Sequence, residues 1–402
     1  MPPDGEPVPA DGSLPQTAAE QFGNSPFGVY VHVPFCRTRC GYCDFNTYTA
    51  TELGGGASQA AYPDLVKREI ARAKAVLPAG KAKVSTVFFG GGTPTLLAPD
   101  SLGDIIKQID DAFGLAEDAE VTVEANPESV DAGSLAQLHA RGVTRISFGM
   151  QSSVPHVLAV LDRVHEPGRP QSCVRWAREA GFEHVSLDLI YGTPGESDDD
   201  WRRSLDAALA AGPDHVSAYA LIVEEGTRLA ARVRRGEVKP PDDDVLADRY
   251  LIADEVLTAA GLSWYEISNW AASGQARCAH NMLYWTGGDW WGFGPGAHSH
   301  VAGTRWWNVR HPSAYAARLA AGQSPAQARE VLTAAERRME EIMLRTRLAE
   351  GAPLSVLDPA AIFSAERAVA AALLEASAYA DGRLVLTRAG RLLADAVIRD
   401  LT

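Results

Sequence analysis

The chain has no apolar stretch long enough to cross a bilayer: the run Ala368–Leu374 already ends at Glu375, so no transmembrane helix is expected. It has no basic surplus either. Against 51 acidic residues stand 37 Lys and Arg, for a net charge of −14, which argues against broad nucleic-acid binding because too few cations are free to neutralise phosphates. The first residues lack the basic-then-apolar order of a secretory leader. Residues 1–24 are polar and rich in Pro and Gly, and are expected to be a disordered tail. Cysteine is scarce, five in all with three close together, a usage that suits a reducing cytoplasm and predicts a cytoplasmic location. No fixed short repeat runs through the sequence. The remaining composition, 46% hydrophobic and 22% charged over 402 residues, is that of a globular protein of two or three domains.

The chemistry concentrates in Gly28–Tyr48, GVYVHVPFCRTRCGYCDFNTY. Val29–Val33 reads as a short strand. The chain then turns at Pro34 and places Cys36, Cys40 and Cys43 in one loop with C-x3-C-x2-C spacing. Three thiolates so close can wrap a soft metal centre. A closed zinc site or a purely redox four-iron cluster takes four protein ligands, and the next cysteines, Cys173 and Cys278, lie far along the chain. Three ligands leave one iron open to a small molecule. The loop, with Tyr42 before its last cysteine, resembles the cluster loop of the radical SAM superfamily. That resemblance implies a [4Fe-4S] cluster and S-adenosylmethionine (SAM), with SAM chelating the open iron. The chemistry implied is one-electron cleavage of the SAM sulfonium to methionine and a 5′-deoxyadenosyl radical, the protein supplying placement and exclusion of water. A zinc site is the alternative for the loop by itself.

Strands and helices alternate from Phe27 onward. The pattern predicts strands at Val29–Val33, Val84–Phe89, Val121–Ala125, Arg145–Gly149, Val185–Ile190 and Val216–Leu221, with helices at Tyr62–Leu77, Pro99–Phe113, Ser134–Ala140, Arg169–Ala180 and Asp198–Ala211. Gly54–Gly56 reads as a flexible turn. Six strands alternating with helices imply a parallel sheet with right-handed crossovers. Polar and glycine residues gather at the C-terminal ends of all six strands: the cysteines, Gly90–Thr95, Glu124–Pro127, Ser147 to Gln151, Asp188 with Tyr191 and Gly192, and Tyr219 with Leu221. One rim bearing the unusual residues favours a partial (β/α)6 barrel in an α/β chain, the fold that the resemblance also implies. By that resemblance Gly91, Gly92 and Thr93 bind the amino group of SAM. Glu124, Gln151, Arg163 and Asp188 contact its ribose or methionine portions, and Tyr30 and Ile222 line its pocket. His32, inside the first strand, is a further candidate.

The second half changes character. Asp242–Ala260 predicts a long helix and Trp264–Trp270 an aromatic strand, and most of the nine tryptophans lie between Trp264 and Trp307. Such density suits either a large flat ligand or an aromatic core between domains. YVHVPFC, GGGTPT, E-x-N-P, R-x-S-x-G-x-Q, DLIYG, YEISN and the GAHS turn together resemble the oxygen-independent coproporphyrinogen oxidase-like branch of the superfamily. The oxidases of that branch carry another cysteine two residues after the third; Phe45 stands there in this chain. His280-Asn281-Met282-Leu283-Tyr284-Trp285 matches the H-N-x-x-Y-W motif of the HemW-type haem chaperones.

The resemblance to the chaperones implies binding of haem through His280, Asn281, Tyr284 and Trp285 and its delivery to haem-accepting proteins, with possible dimerisation and peripheral membrane association. The alternative is an oxygen-independent coproporphyrinogen III oxidase that decarboxylates propionate side chains by radical SAM chemistry. A haem iron wants an axial His, Cys, Met or Tyr. His280 is the first candidate, with Cys278 and His298 as alternatives. The expected domains are the tail 1–24, a barrel over 25–225, a barrel extension with the aromatic haem-binding region over 226–333, and a small helical, winged-type module over 334–402, so that a mixed, mainly helical domain ends the chain.

Overall fold

The computed structural model describes residues 5–53 and 57–402; the expected Gly54–Gly56 turn and residues 1–4 of the tail lie outside them. Six parallel strands, β1 (Phe27–Val33), β2 (Val84–Gly91), β3 (Leu115–Ala125), β4 (Arg145–Gln151), β5 (His184–Tyr191) and β6 (His215–Ala220), alternate with helices and pair in sequence order. Each crossover helix buries its apolar stripe outside the sheet; Val66, Ile70 and Ala73 do so on Tyr62–Val76. Local chemistry fixes the ends. Ser197 accepts a hydrogen bond from the Asp200 amide while Asp200 reaches back to the Ser197 amide, opening helix Asp198–Ala211, and Gly212 closes it at φ 76°.

The sheet does not stop at the barrel. Strands β7 (Ser263–Glu266) and β8 (Asn269–Ala271) form a hairpin whose β8 pairs antiparallel with β6. The single aromatic strand expected over Trp264–Trp270 is therefore two strands, turned at Ile267-Ser268. At the other edge β9 (Asp289–Phe293) lies parallel to β1, and β10 (His298–Val301), β11 (Thr304–Asn308) and β12 (Ala326–Val331) continue antiparallel from it. The result is one open 12-stranded sheet, in the order β12-β11-β10-β9-β1-β2-β3-β4-β5-β6-β8-β7. The last 70 residues add helices Ala334–Arg345, Pro359–Ala370 and Ala394–Leu401 and a two-stranded pair, Ala352–Pro353 with Arg383–Leu384, around a separate small core.

The expectation of a disordered tail fails for residues 5–24. Glu6 forms a backbone bridge with Arg329 of β12 and an ion pair with its guanidinium at 2.7 Å. Helix Gln16–Gln21 follows, with Lys81 donating to the carbonyls of Ala19 and Glu20, and Phe22 is buried edge-on against Phe27. Composition sees only a polar segment. The order comes from partners far along the chain.

The floor of the barrel is closed by helix Ala279–Trp285. Glu120 of β3 accepts hydrogen bonds from the amides of Ala279 and His280, both at 3.1 Å, capping that helix. The same carboxylate pairs at 2.7 Å with Arg145 of β4, whose side chain is only 1% exposed and which also donates to the carbonyls of Ala276 and Arg277. Removing one partner of a buried pair strands the other charge, at about 3–5 kcal/mol. Glu120→Ala should therefore lose stability of that order in denaturant unfolding. A change below about 1 kcal/mol, the range of exposed ion pairs, would show that the floor does not depend on this carboxylate.

Candidate cluster and cofactor site

At the C-terminal rim, a cavity of about 510 Å³ is lined by Cys36, Cys40 and Cys43 on one side and by strand-end residues on the other. The three thiols are half-buried and each has a polar neighbour. Cys36 meets the hydroxyls of Thr47 and Thr93. Cys40 accepts from Arg163 at 3.6 Å. The Cys43 thiol is pushed up to about 11, first by burial and then by the neighbouring Cys36 and Cys40, against the backbone contact of Phe45 that lowers it. Binding a metal would deprotonate these thiols and release protons.

The loop is held close to the barrel by glycine. A Cβ on Gly92 would stand 2.4 Å from the Phe35 carbonyl oxygen, and Gly91 has φ 108°. Both positions admit only glycine without displacing backbone. Gly91 donates its amide to Glu124 at 3.3 Å.

The wall opposite the thiols is polar and buried. The Glu124 carboxyl is pushed up to about 8 by burial, with the charge of Asp188 adding to it. Asp188 is pushed up to about 6 by burial, even though Ser147 donates to both its oxygens, at 2.8 and 2.9 Å. Arg163 donates to Asn126 at 2.7 Å and to the Gly149 carbonyl at 2.8 Å. Gln151 holds φ 61°, a left-handed conformation uncommon for a non-glycine residue. Ile222, 65% exposed, lines the mouth.

Expected site residues thus gather on this wall: Gly91, Gly92, Glu124, Gln151, Arg163, Asp188 and Ile222 with the three cysteines. Two do not line it. Thr93 is buried behind it, bonded to Asn126. Tyr30 faces a second cavity, its hydroxyl paired with His32 at 2.9 Å. Asn126, Ser147 and Ser217, which the resemblance did not single out, complete the polar wall; their position at strand ends was the signal available for them.

The second cavity, about 870 Å³, lies on the inner face of the sheet where β9–β12 extend it. It shares Phe45, Phe88, Gly91 and Glu124 with the first. Tyr284, Trp290, His298 and Trp307 line it as well.

The expected haem residues are not gathered there. His280 is 1% exposed and lines neither cavity. One ring nitrogen is 2.8 Å from the Thr86 hydroxyl and the other 2.8 Å from the Tyr284 hydroxyl, with the ring stacked on Phe88. Burial holds this imidazole down to about 3. Iron could reach it only by breaking one of those bonds. Asn281 faces the first cavity and Tyr284 the second, while Trp285 hydrogen-bonds the Glu266 carboxylate. Cys278, an alternative ligand, is buried beside Glu120 at 3.6 Å.

The donor chemistry fits a thiolate-held cluster: three half-buried cysteines sit at the mouth of a polar cavity with an arginine on one sulfur. No group of three or more His, Cys, Asp or Glu converges around a single ion among the described residues. Cys36, Cys40 and Cys43 would hold the cluster, and the Glu124, Gln151, Arg163 and Asp188 wall would face SAM. The cluster supplies electron donation into bound SAM.

A parallel partial barrel with three thiols at its C-terminal rim defines the radical SAM class of fold. The Radical SAM superfamily profile matches residues 30–208. The coproporphyrinogen III oxidase HemN of Escherichia coli, a radical SAM enzyme, superposes with a TM-score of 0.82 over all of this chain and 96% of that one, at 20% identity, a likeness of fold. The heme chaperone HemW of Mycobacterium tuberculosis is 55% identical over 376 residues, covering 94% of this chain and 95% of its own, and HemW of Bacillus subtilis is 35% identical over 80% and 84%. The chain belongs to the HemW family of radical SAM proteins.

Because Glu124 moves from its ordinary 4.5 to about 8, between those values the native state keeps a proton that the unfolded chain has released. Stability therefore falls as pH rises through that window. Glu124→Gln should flatten the decline of melting temperature between pH 5 and 8 in ligand-free protein, a range set by those two values. An unchanged slope would place the proton elsewhere.

Proposed function

We propose that this protein is a haem chaperone: it binds a [4Fe-4S] cluster and SAM in the first cavity, binds haem, and passes haem to haem-requiring proteins. The observation that carries the reading is the pair of adjoining cavities. One has thiols, glycine backbone and a polar wall suited to a cluster and SAM. The other is broad and aromatic, suited to a flat tetrapyrrole. The names of its relatives in Mycobacterium tuberculosis and Bacillus subtilis, both called heme chaperones, support the same reading. So does Phe45, which stands where the oxidase pattern has a further cysteine and is 62% exposed between the two cavities. No helix among the described residues is long and apolar enough to cross a membrane, so any membrane association in this reading is peripheral.

The test is anaerobic reconstitution with iron and sulfide followed by haem titration and an oxidase assay. Wild-type protein should take up about four iron and four sulfide per chain, and Cys36→Ala, Cys40→Ala or Cys43→Ala should abolish that uptake. It should bind haem stoichiometrically and leave coproporphyrinogen undecarboxylated in the presence of SAM and reductant. Turnover to protoporphyrinogen without stable haem binding would replace this reading with the oxidase.

A further inference from the structure

The haem-binding reading leaves open where the tetrapyrrole sits. The motif histidine, His280, has both ring nitrogens bonded inside the protein. His32 is likewise occupied, by the Tyr30 hydroxyl and the Asn46 carbonyl, both at 2.9 Å. His300 bonds the Gly288 carbonyl and the Gly303 amide. His311 accepts from the Ser313 amide. Among the described residues of this region, His298 is the histidine with neither ring nitrogen hydrogen-bonded. It is the first residue of β10, exposed, and on the wall of the second cavity.

The surroundings of His298 are those of a metalloporphyrin seat. Its ring lies nearly parallel to Trp307, with centroids 5.9 Å apart and planes at 25°. Trp290 donates its indole N–H to the His298 carbonyl at 3.0 Å, which fixes the backbone from which the imidazole projects. The cavity is large and its flat walls are aromatic. Arg310 stands at its edge, exposed, with no ion pair among the described residues. A flat apolar ring with a metal centre needs one nitrogen donor, and its carboxylate substituents need a cation. Desolvation in the cavity, then the charges of Arg305 and Arg310, hold the His298 imidazole below its ordinary value, so the ring is neutral and free to ligate at neutral pH.

We propose that haem occupies the second cavity, with His298 as its axial ligand and Arg310 paired with a propionate, and that His280 is a structural residue of the barrel floor. This rests on the haem-binding reading above. It places the tetrapyrrole against the wall of Phe45, Phe88, Gly91 and Glu124 that also bounds the cluster cavity.

The experiment is titration of the full chain with ferric haem, read by the Soret band and by electron paramagnetic resonance, with circular dichroism and iron–sulfide loading as controls on folding. Wild-type protein should show a histidine-ligated spectrum that His298→Ala loses. His298→Met, which keeps a side chain able to ligate, should shift the spectrum to that of a thioether ligand. Arg310→Ala should keep the ligand spectrum and weaken binding by about tenfold or more, the effect of losing one charged hydrogen bond. With haem dimethyl ester, which has no free propionate, Arg310→Ala should change nothing. If wild-type protein binds haem and both His298 variants keep its spectrum and affinity, the proposal is overturned while the chaperone reading stands. If wild-type protein binds no haem, the chaperone reading fails and the proposal fails with it.

Discussion

One buried carboxylate, Glu120, joins the two halves of the molecule. It is anchored on β3, neutralises Arg145 on β4 and caps the helix that carries His280. Arg145 in turn holds the carbonyls of Ala276 and Arg277, the turn that leads into that helix. An unpaired charge at this depth would be strongly unfavourable, so the floor helix has one place to sit. From that position follow the contacts of His280 with Thr86 and Phe88, the course of the chain into β9, and the attachment of β9 to β1. The second cavity exists because β9–β12 begin from that point.

The sheet supplies both cavities from one inner face. Glu124, Phe88 and Tyr30 belong to adjacent barrel strands and Trp290, His298 and Trp307 to adjacent strands of the extension, and together they line one wall. Gly90 lies among them: a Cβ there would meet the side chains of Glu124, Phe88 and Tyr30 at 3.0–3.1 Å. Polar residues on such a face are tolerable when paired, as Asp188 with Ser147 and Tyr30 with His32 are.

The six barrel strands could be read from the chain because a parallel strand covered on both faces is a nearly unbroken apolar run, as in Val84–Phe89, and because its C-terminal end breaks that run with glycine or a charge. The cluster loop was equally legible, since three cysteines at fixed spacing state their own chemistry. The rim carboxylates, Gln151 and Arg163 were placed by motif. What was not legible depends on partners distant in sequence. The N-terminal segment is ordered by Arg329 and Lys81, and the hairpin at Trp264–Ala271 by pairing with β6. His280 is the clearest case. A histidine in a motif reads as a ligand, but whether its nitrogens face a cavity or a threonine and a tyrosine is decided by tertiary packing.

The pairing of β1 with β9 also has a consequence for biosynthesis. Phe27 opposes Asp289 and Val31 opposes Phe293, so one edge of the first barrel strand has no partner until nearly three quarters of the chain has left the ribosome. Until then the nascent barrel presents the unpaired backbone of an apolar strand, with its cysteine loop attached, the kind of edge that recruits other chains. Closure depends on a contact between distant segments and is therefore a late event in folding. The last stretch to be synthesised before that closure is the one that seals the barrel floor, so the sheet edge and the floor are completed together.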